Sequence, residues 1–179
     1  IDPVRFLGNR SSGKMGFALA AAARALGAEV VLVAGPVHLP TPEGVERIDV
    51  RSAAQMREGV LGALPAEGDL GAAAVADFTP RSVSGHKLKK TAGSDTLVLE
   101  LVRTPDILAE VATHPRRPSL VVGFAAETHD VEHYARGKLA NKKLDLIAAN
   151  LVGAAEGGFE RDDNALTVYW AGGERTLGP

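Results

Sequence analysis

Apolar and polar positions alternate along this chain in blocks whose period shifts between strand and helix. Residues 4–7 form a short apolar run that predicts a first strand. Ser11 or Ser12 then supplies a helix N-cap, Phe17, Leu19, Ala20, Ala23 and Leu26 follow at helical spacing, and Gly27 stands where a C′ glycine belongs. Residues 29–34 (EVVLVA) have the composition of a strand covered on both faces. Pro36, Pro40 and Pro42 stiffen the loop after it. Residues 45–50 predict another strand, and Ser52 caps a helix through Leu64 with Met56, Val60 and Leu64 on one face. Residues 71–78 (GAAAVADF) predict a third buried strand with one charge, Asp77, near its carboxyl end. A polar, basic segment covers residues 79–94, and residues 97–102 predict a further strand. Thr104 caps a helix with Pro105 at its first position. Residues 120–126 form a core strand ending at Glu127, Asp130 caps a helix to about Lys143, and residues 145–149 form the next strand. Residues 165–170 and 175–177 predict a β-hairpin across Gly172 and Gly173.

Strands alternating with helices at this spacing imply an α/β fold: a Rossmann-like, three-layer, doubly wound and mostly parallel sheet, closed by the C-terminal hairpin. Residues 1–179 are enough for a single domain with its own core. In such sheets ligands bind outside the carboxyl ends of the strands. The segment from Gly8 to Lys14, Asp77 and Glu127 all fall there. Twenty basic against 22 acidic residues give a net charge of -2, without the basic excess of a nucleic-acid footprint. No apolar run approaches the ~20 residues of a membrane span, and no signal peptide is visible. The absence of cysteine excludes disulfides and thiolate metal sites and fits a reducing compartment. A start at Ile1 rather than methionine suggests a piece of a longer chain.

Gly8-Asn9-Arg10-Ser11-Ser12-Gly13-Lys14 has the G-x-x-x-x-G-K spacing of a phosphate-binding P-loop, but Met15 stands where the magnesium-ligating hydroxyl belongs. On the motif alone two readings stand: an ordinary strand-to-helix turn with a serine cap, or an anion site at a helix N-terminus. Either way a metal must be held elsewhere, and Asp77 is the candidate. Its alternative is a turn or cap residue. Lys87, Lys89 and Lys90 form one basic group and Lys138 and Lys142 another at i, i+4. Such groups are usually solvated surface, yet phosphates need several cations. His129 and His133 share an i, i+4 spacing but lack the glutamate of a metalloprotease motif, so they are assigned to the surface.

The string from Asp2 to Gly16, residues 73–77 (AAVAD), Lys87-Leu88-Lys89-Lys90, Thr104-Pro105-Asp106-Ile107-Leu108, residues 123–128 (GFAAET) and Asp163-Asn164-Ala165-Leu166 occur in this order over nearly the whole chain. Together they closely resemble bacterial phosphopantothenoylcysteine synthetase, and Met15 is part of that family's own pattern. The resemblance implies a cytoplasmic, dimeric ligase of coenzyme A biosynthesis. It joins phosphopantothenate to cysteine, with CTP cleaved to CMP and pyrophosphate through an acyl-cytidylate. It implies Mg²⁺ or Mn²⁺ at Asp77 and an N-terminal flavin-dependent decarboxylase domain outside this fragment, hence no FMN here. By the same likeness CTP is held by Ala73, Asp77, Lys87, Pro105, Asp106, Ile107, Leu108, Phe124, Lys138 and Lys142. Asn9 and Lys87 are the catalytic candidates, and Arg5, Asn9, Ser11, Ser12 and Gly13 form the substrate and phosphate loop. Neither a nucleic acid nor a membrane is an expected partner.

Two other classes compete. A Rossmann-type NAD(P)-dependent oxidoreductase shares the fold class but requires G-x-G-x-x-G and an acid after the second strand, both missing here. A non-catalytic nucleotide-sensing domain requires only the anion site.

Overall fold

In the computed structural model, described for residues 1–90, 93, 95–152 and 165–178, the elements follow one another as α1 (Lys14–Ala25), β1 (Val31–Ala34), β2 (Glu46–Asp49), α2 (Ala53–Gly62), β3 (Gly68–Gly71), β4 (Phe78–Pro80), β5 (Leu101–Arg103), α3 (Ile107–Thr113), β6 (Leu120–Glu127), α4 (Val131–Asn141), β7 (Leu146–Leu151), β8 (Leu166–Trp170) and β9 (Gly173–Leu177). The chain divides into two compact units. The first comprises Ile1–Arg10 and Ala74–Asp106, the second Ser11–Ala73 and Ile107–Pro179.

The second unit carries the Rossmann-like α/β fold expected from the sequence. Its five-stranded sheet runs β3-β6-β7-β8-β9. β3, β6 and β7 are mutually parallel, and β8 and β9 add antiparallel at one edge. β1 and β2 form a separate parallel ladder. Val111, Val121, Ala125, Ala135, Leu139 and Ile147 lie in the core that joins α3 and α4 to the sheet. Gly27 ends α1 as expected, with φ 94°: its N–H donates to Arg24 O and that of Ala28 to Ala23 O, the paired bonds of a Schellman cap. Ser52 caps α2 by accepting from Gln55 N, and Gln55 Oε1 accepts from Arg51 N, so two helix-start donors are satisfied together. The Arg57 guanidinium on α2 pairs with the Glu110 carboxylate on α3 and holds it below the usual carboxylate range.

One close approach fixes the middle of this unit. Gly71 and Gly123 are directly paired across β3 and β6. A Cβ on Gly71 would lie 2.9 Å from Leu108 Cδ1, and one on Gly123 would lie 2.8 Å from Leu144 Cδ1 and 2.9 Å from Leu108 Cδ2. The two glycines therefore form the recess into which α3 presses Leu108.

The described residues of the first unit have little regular structure. β4 and β5 pair antiparallel from Phe78↔Arg103 to Pro80↔Leu101. The ladder is extended by Arg81 N–H to Glu100 O and by Thr104 N–H to Asp77 O, both at 2.9 Å.

Several local expectations are corrected. Residues 4–7 are not a strand, because the Asp2 side chain takes the N–H groups of Val4 and Arg5 and turns the chain. Residues 71–78 are not one strand: β3 ends at Gly71, where Ala72 N–H closes back on Leu70 O at 3.0 Å, and the alanines after it carry no side chain able to hold a register. The strand expected at residues 97–102 shrinks to Leu101–Arg103. Thr104 continues the β4–β5 ladder instead of capping a helix, and α3 starts three residues later at Ile107. Asp130 and Gly13 stand at the N-cap positions of α4 and α1 in left-handed conformation, without a side-chain cap bond. Of the resemblance motifs, Asp163 and Asn164 lie outside the described residues.

Gly123→Ala is expected to destabilise the protein by about 1–3 kcal/mol, the usual cost of overpacking, because the methyl meets two leucines at once. Chemical denaturation measures it, and an unchanged midpoint contradicts the recess.

Candidate functional site

Within the first unit, Asp2 sits at the centre of the N-terminal segment. Its carboxylate is buried and accepts from Val4 N and Arg5 N at 2.9 Å, from Arg5 Nε at 2.9 Å and Nη2 at 2.5 Å, and from Leu88 N at 3.1 Å. The Arg5 guanidinium, with the backbone N–H groups, holds this carboxyl well below the usual carboxylate range. Its contribution to stability is therefore complete above the ordinary carboxyl value of 3.8 and is lost only as the pH falls below it toward the depressed folded value. Arg5 also donates to Leu88 O at 2.9 Å. Arg5 is thus bonded to the backbone of the basic segment.

Lys87 stands next to that contact, exposed, with no hydrogen bond or ion pair from its side chain among the described residues. Asp77 is exposed at the start of β4, and its carboxylate is likewise unengaged among them. Asn9 donates its side-chain amide to Val75 O at 3.3 Å, which ties the N-terminal segment to the chain two residues before Asp77. Thr104 Oγ1 is buried without a hydrogen-bond partner among the described residues. Pro105 and Asp106 follow it as exposed linker.

Within the second unit, Gly13 opens α1 at φ 77°, and a Cβ there would come within 3.1 Å of Val37. Only glycine allows this turn to lie so close to the loop after β1. Arg47 holds the same loop by donating to Leu39 O at 2.8 Å and Val37 O at 3.3 Å. Ser12 Oγ accepts from Lys14 N at 3.4 Å, and Ser11 is exposed. A concavity of about 310 Å³ lies at the carboxyl ends of β1 and β2, lined by residues 35–38 and 49–51.

Ala73 is exposed just after β3. Leu108 is spent on packing, so it offers the site backbone only. Phe124 is half-buried on β6, paired with Ala148 of β7. Glu127 ends β6, and its Oε1 takes Lys138 Nζ at 2.6 Å. Lys142 lies one turn further along and is half-buried. A larger concavity, about 610 Å³, runs along the first turns of α4 over residues 130–137 and includes none of the expected nucleotide ligands.

No group of three or more His, Cys, Asp or Glu among the described residues could enclose a metal ion. Asp77, a single unengaged carboxylate, fits instead an ion that takes most of its ligands from water and phosphate oxygens, as Mg²⁺ does. Sequence reasoning missed Asp2 and Glu127 as partners of expected site residues. The Asp-Pro-x-Arg string carries an Asx-turn signal for the first, but the bond from Asp2 to Leu88 spans 86 positions and has no local signal.

The family described as DNA/pantothenate metabolism flavoprotein C-terminal domain matches residues 1–178. A coenzyme A biosynthesis bifunctional protein CoaBC from Vibrio cholerae is 53% identical over 178 residues, covering 99% of this chain and 45% of the relative. One of the same name from Bacillus subtilis is 54% identical over 177 residues, covering 98% of this chain and 43% of the relative. The chain thus spans less than half the length of these relatives. The crystal structure of the C-terminal domain of a CoaBC superposes with TM-score 0.80 at 40% identity, over 99% of this chain and 79% of that one. A flavoprotein of the same description from Streptococcus pneumoniae matches in fold at TM-score 0.78 and 22% identity, covering 99% of this chain and 86% of its own.

Proposed function

This chain belongs to the DNA/pantothenate metabolism flavoprotein C-terminal domain family, and on that premise we propose that it is a CTP-dependent phosphopantothenate–cysteine ligase of coenzyme A biosynthesis. The observation that carries the proposal is identity above 50% to CoaBC proteins across essentially the whole chain. The unengaged Lys87 and Asp77 support it. Both are charged, exposed and without a partner among the described residues, as groups awaiting a polyphosphate and its cation must be.

In this reading the phosphopantothenate carboxylate attacks the α-phosphate of CTP. The bond between the α-phosphate and the bridging oxygen breaks, and pyrophosphate leaves. The cysteine amine then attacks the acyl carbon and CMP departs with the former carboxylate oxygen. Lys87 stabilises the charge that builds on the phosphoryl oxygens. Asn9 offers its amide to the acyl oxygen as the amine adds. Lys138 and Lys142 bind phosphate, and Lys138 exchanges or shares its contact with Glu127. Phe124 and the backbone of residues 105–108 take the cytidine, with Ala73 beside the base, and residues 11–13 offer N–H groups to substrate phosphate. Mg²⁺, bound through Asp77, supplies charge neutralisation of the phosphates when present.

The unmodified chain is expected to release pyrophosphate only with phosphopantothenate, CTP and Mg²⁺ together, and to be stabilised by CTP more than by ATP or GTP in a thermal-shift series. Lys87→Gln should lower turnover by at least about a hundredfold. Equal stabilisation by all nucleotides sinks the cytidylate reading, and NADPH oxidation by the chain would favour a reductase.

We further propose that the protein is a homodimer and that the first unit forms the interface. Large apolar residues are left uncovered there, among them Phe6 at 86%, Val83 at 68% and Val98 at 89% exposure, and an interface would cover them. Sedimentation should give a dimer that Val98→Glu converts to monomer; a monomeric unmodified chain contradicts this.

A further inference from the structure

We propose that Asp2 is a positioning residue for Lys87, fixing where the lysine stands when the reaction begins. The inference rests on the ligase reading for its functional consequence and on hydrogen-bond geometry for its substance. Lys87 belongs to a stretch between β4 and β5 whose described residues form no helix or strand. No partner holds its side chain among the described residues, so its place is set by the backbone on either side of it.

That backbone is pinned before and after the lysine. Ser84 N–H donates to Ile1 O at 3.1 Å, and Ser84 Oγ donates to His86 O at 2.6 Å. Beyond the lysine, the Leu88 peptide groups are gripped at both ends: N–H by Asp2 Oδ2 at 3.1 Å, C=O by Arg5 Nη2 at 2.9 Å. Asp2 organises the whole arrangement, because the same carboxylate orients Arg5 through Nε and Nη2. A turn stabiliser needs only the bonds to Val4 and Arg5. The contacts to Leu88 cross 83 and 86 positions of sequence and are superfluous to the turn. Their effect is to hold an otherwise irregular loop at the residue next to Lys87. Displacement of a reacting group by about 1 Å can cost roughly 10²-fold in rate, so a clamp one residue from the lysine has large leverage on turnover.

The chain contains no cysteine, so one introduced thiol can be labelled alone. A nitroxide on Lys87→Cys reports the motion of the loop, and one on Ala22→Cys, on the exposed face of α1, is the control. Asp2→Asn is expected to mobilise the label at 87 and leave that at 22 unchanged. In the unlabelled protein Asp2→Asn should lower kcat about tenfold or more, while in a Lys87→Gln background it should change the residual rate about onefold. An immobile label at 87, mobility gained at both positions, or an equal loss of kcat in both backgrounds overturns the proposal. If the unmodified chain releases no pyrophosphate, the ligase reading fails, and the label comparison still decides whether Asp2 places residue 87.

Discussion

A carboxylate removed from water must have its charge and its lone pairs answered, and Asp2 meets that demand with five N–H donors. Those donors come from Val4, Arg5 and Leu88, so the requirement to satisfy one buried charge draws two distant stretches of chain together. Most of the described residues of the first unit have no sheet or helix to do this. Its order comes from side-chain-to-backbone bonds, those of Asp2 and Arg5 with Leu88 and of Asn9 with Val75, together with the short β4–β5 ladder. The residues proposed to meet the phosphates, Asp77 and Lys87, are two of the charged groups that this network leaves unengaged among the described residues.

The second unit is ordered by different means. Small residues let its layers approach closely: Gly71 and Gly123 receive Leu108, and Gly13 admits Val37 and Leu39 beside the start of α1. This makes sense of a composition rich in glycine and alanine and poor in aromatics. The side chains proposed to meet the nucleotide in this unit are Phe124 within β6 and Lys138 and Lys142 at the C-terminal end of α4, while the core of the unit, from Val111 to Ile147, is wholly apolar. Glu127 at the end of β6 and Lys138 on α4 answer one another as an ion pair at 2.6 Å. In the proposed function Lys138, 43% exposed, shares its contact with an arriving phosphate while it keeps Glu127, only 16% exposed, paired.

Periodicity disclosed what periodicity governs. The α1 helix and its Gly27 cap, Ser52 before α2, the β6 strand and the C-terminal hairpin were all legible, because each depends on residues close in sequence. Residues 71–78 misled: a run of alanines has the hydropathy of a buried strand, but hydropathy does not say where the chain leaves the sheet, and Ala72 turns out at once. Thr104 misled because a threonine before Pro-Asp carries a cap signal, whereas its N–H is claimed by Asp77 O from across the ladder. The individual motifs were weak, and it was their joint order along the chain that pointed to the family. The Asp2–Leu88 and Glu127–Lys138 contacts were invisible because nothing local requires them.

The near-match to a P-loop at Gly8–Lys14 pointed to phosphate and away from the correct fold. In this domain the segment is divided: Asn9 works with the first unit, while Ser12 and Gly13 belong to the helix start of the second. The proposed chemistry predicts a specific fate for one atom. Phosphopantothenate labelled with ¹⁸O in its carboxylate, turned over with cysteine, CTP and Mg²⁺, should yield CMP carrying one ¹⁸O, as read by mass spectrometry. Label appearing in inorganic phosphate, or retained wholly in the product and water, contradicts an acyl-cytidylate.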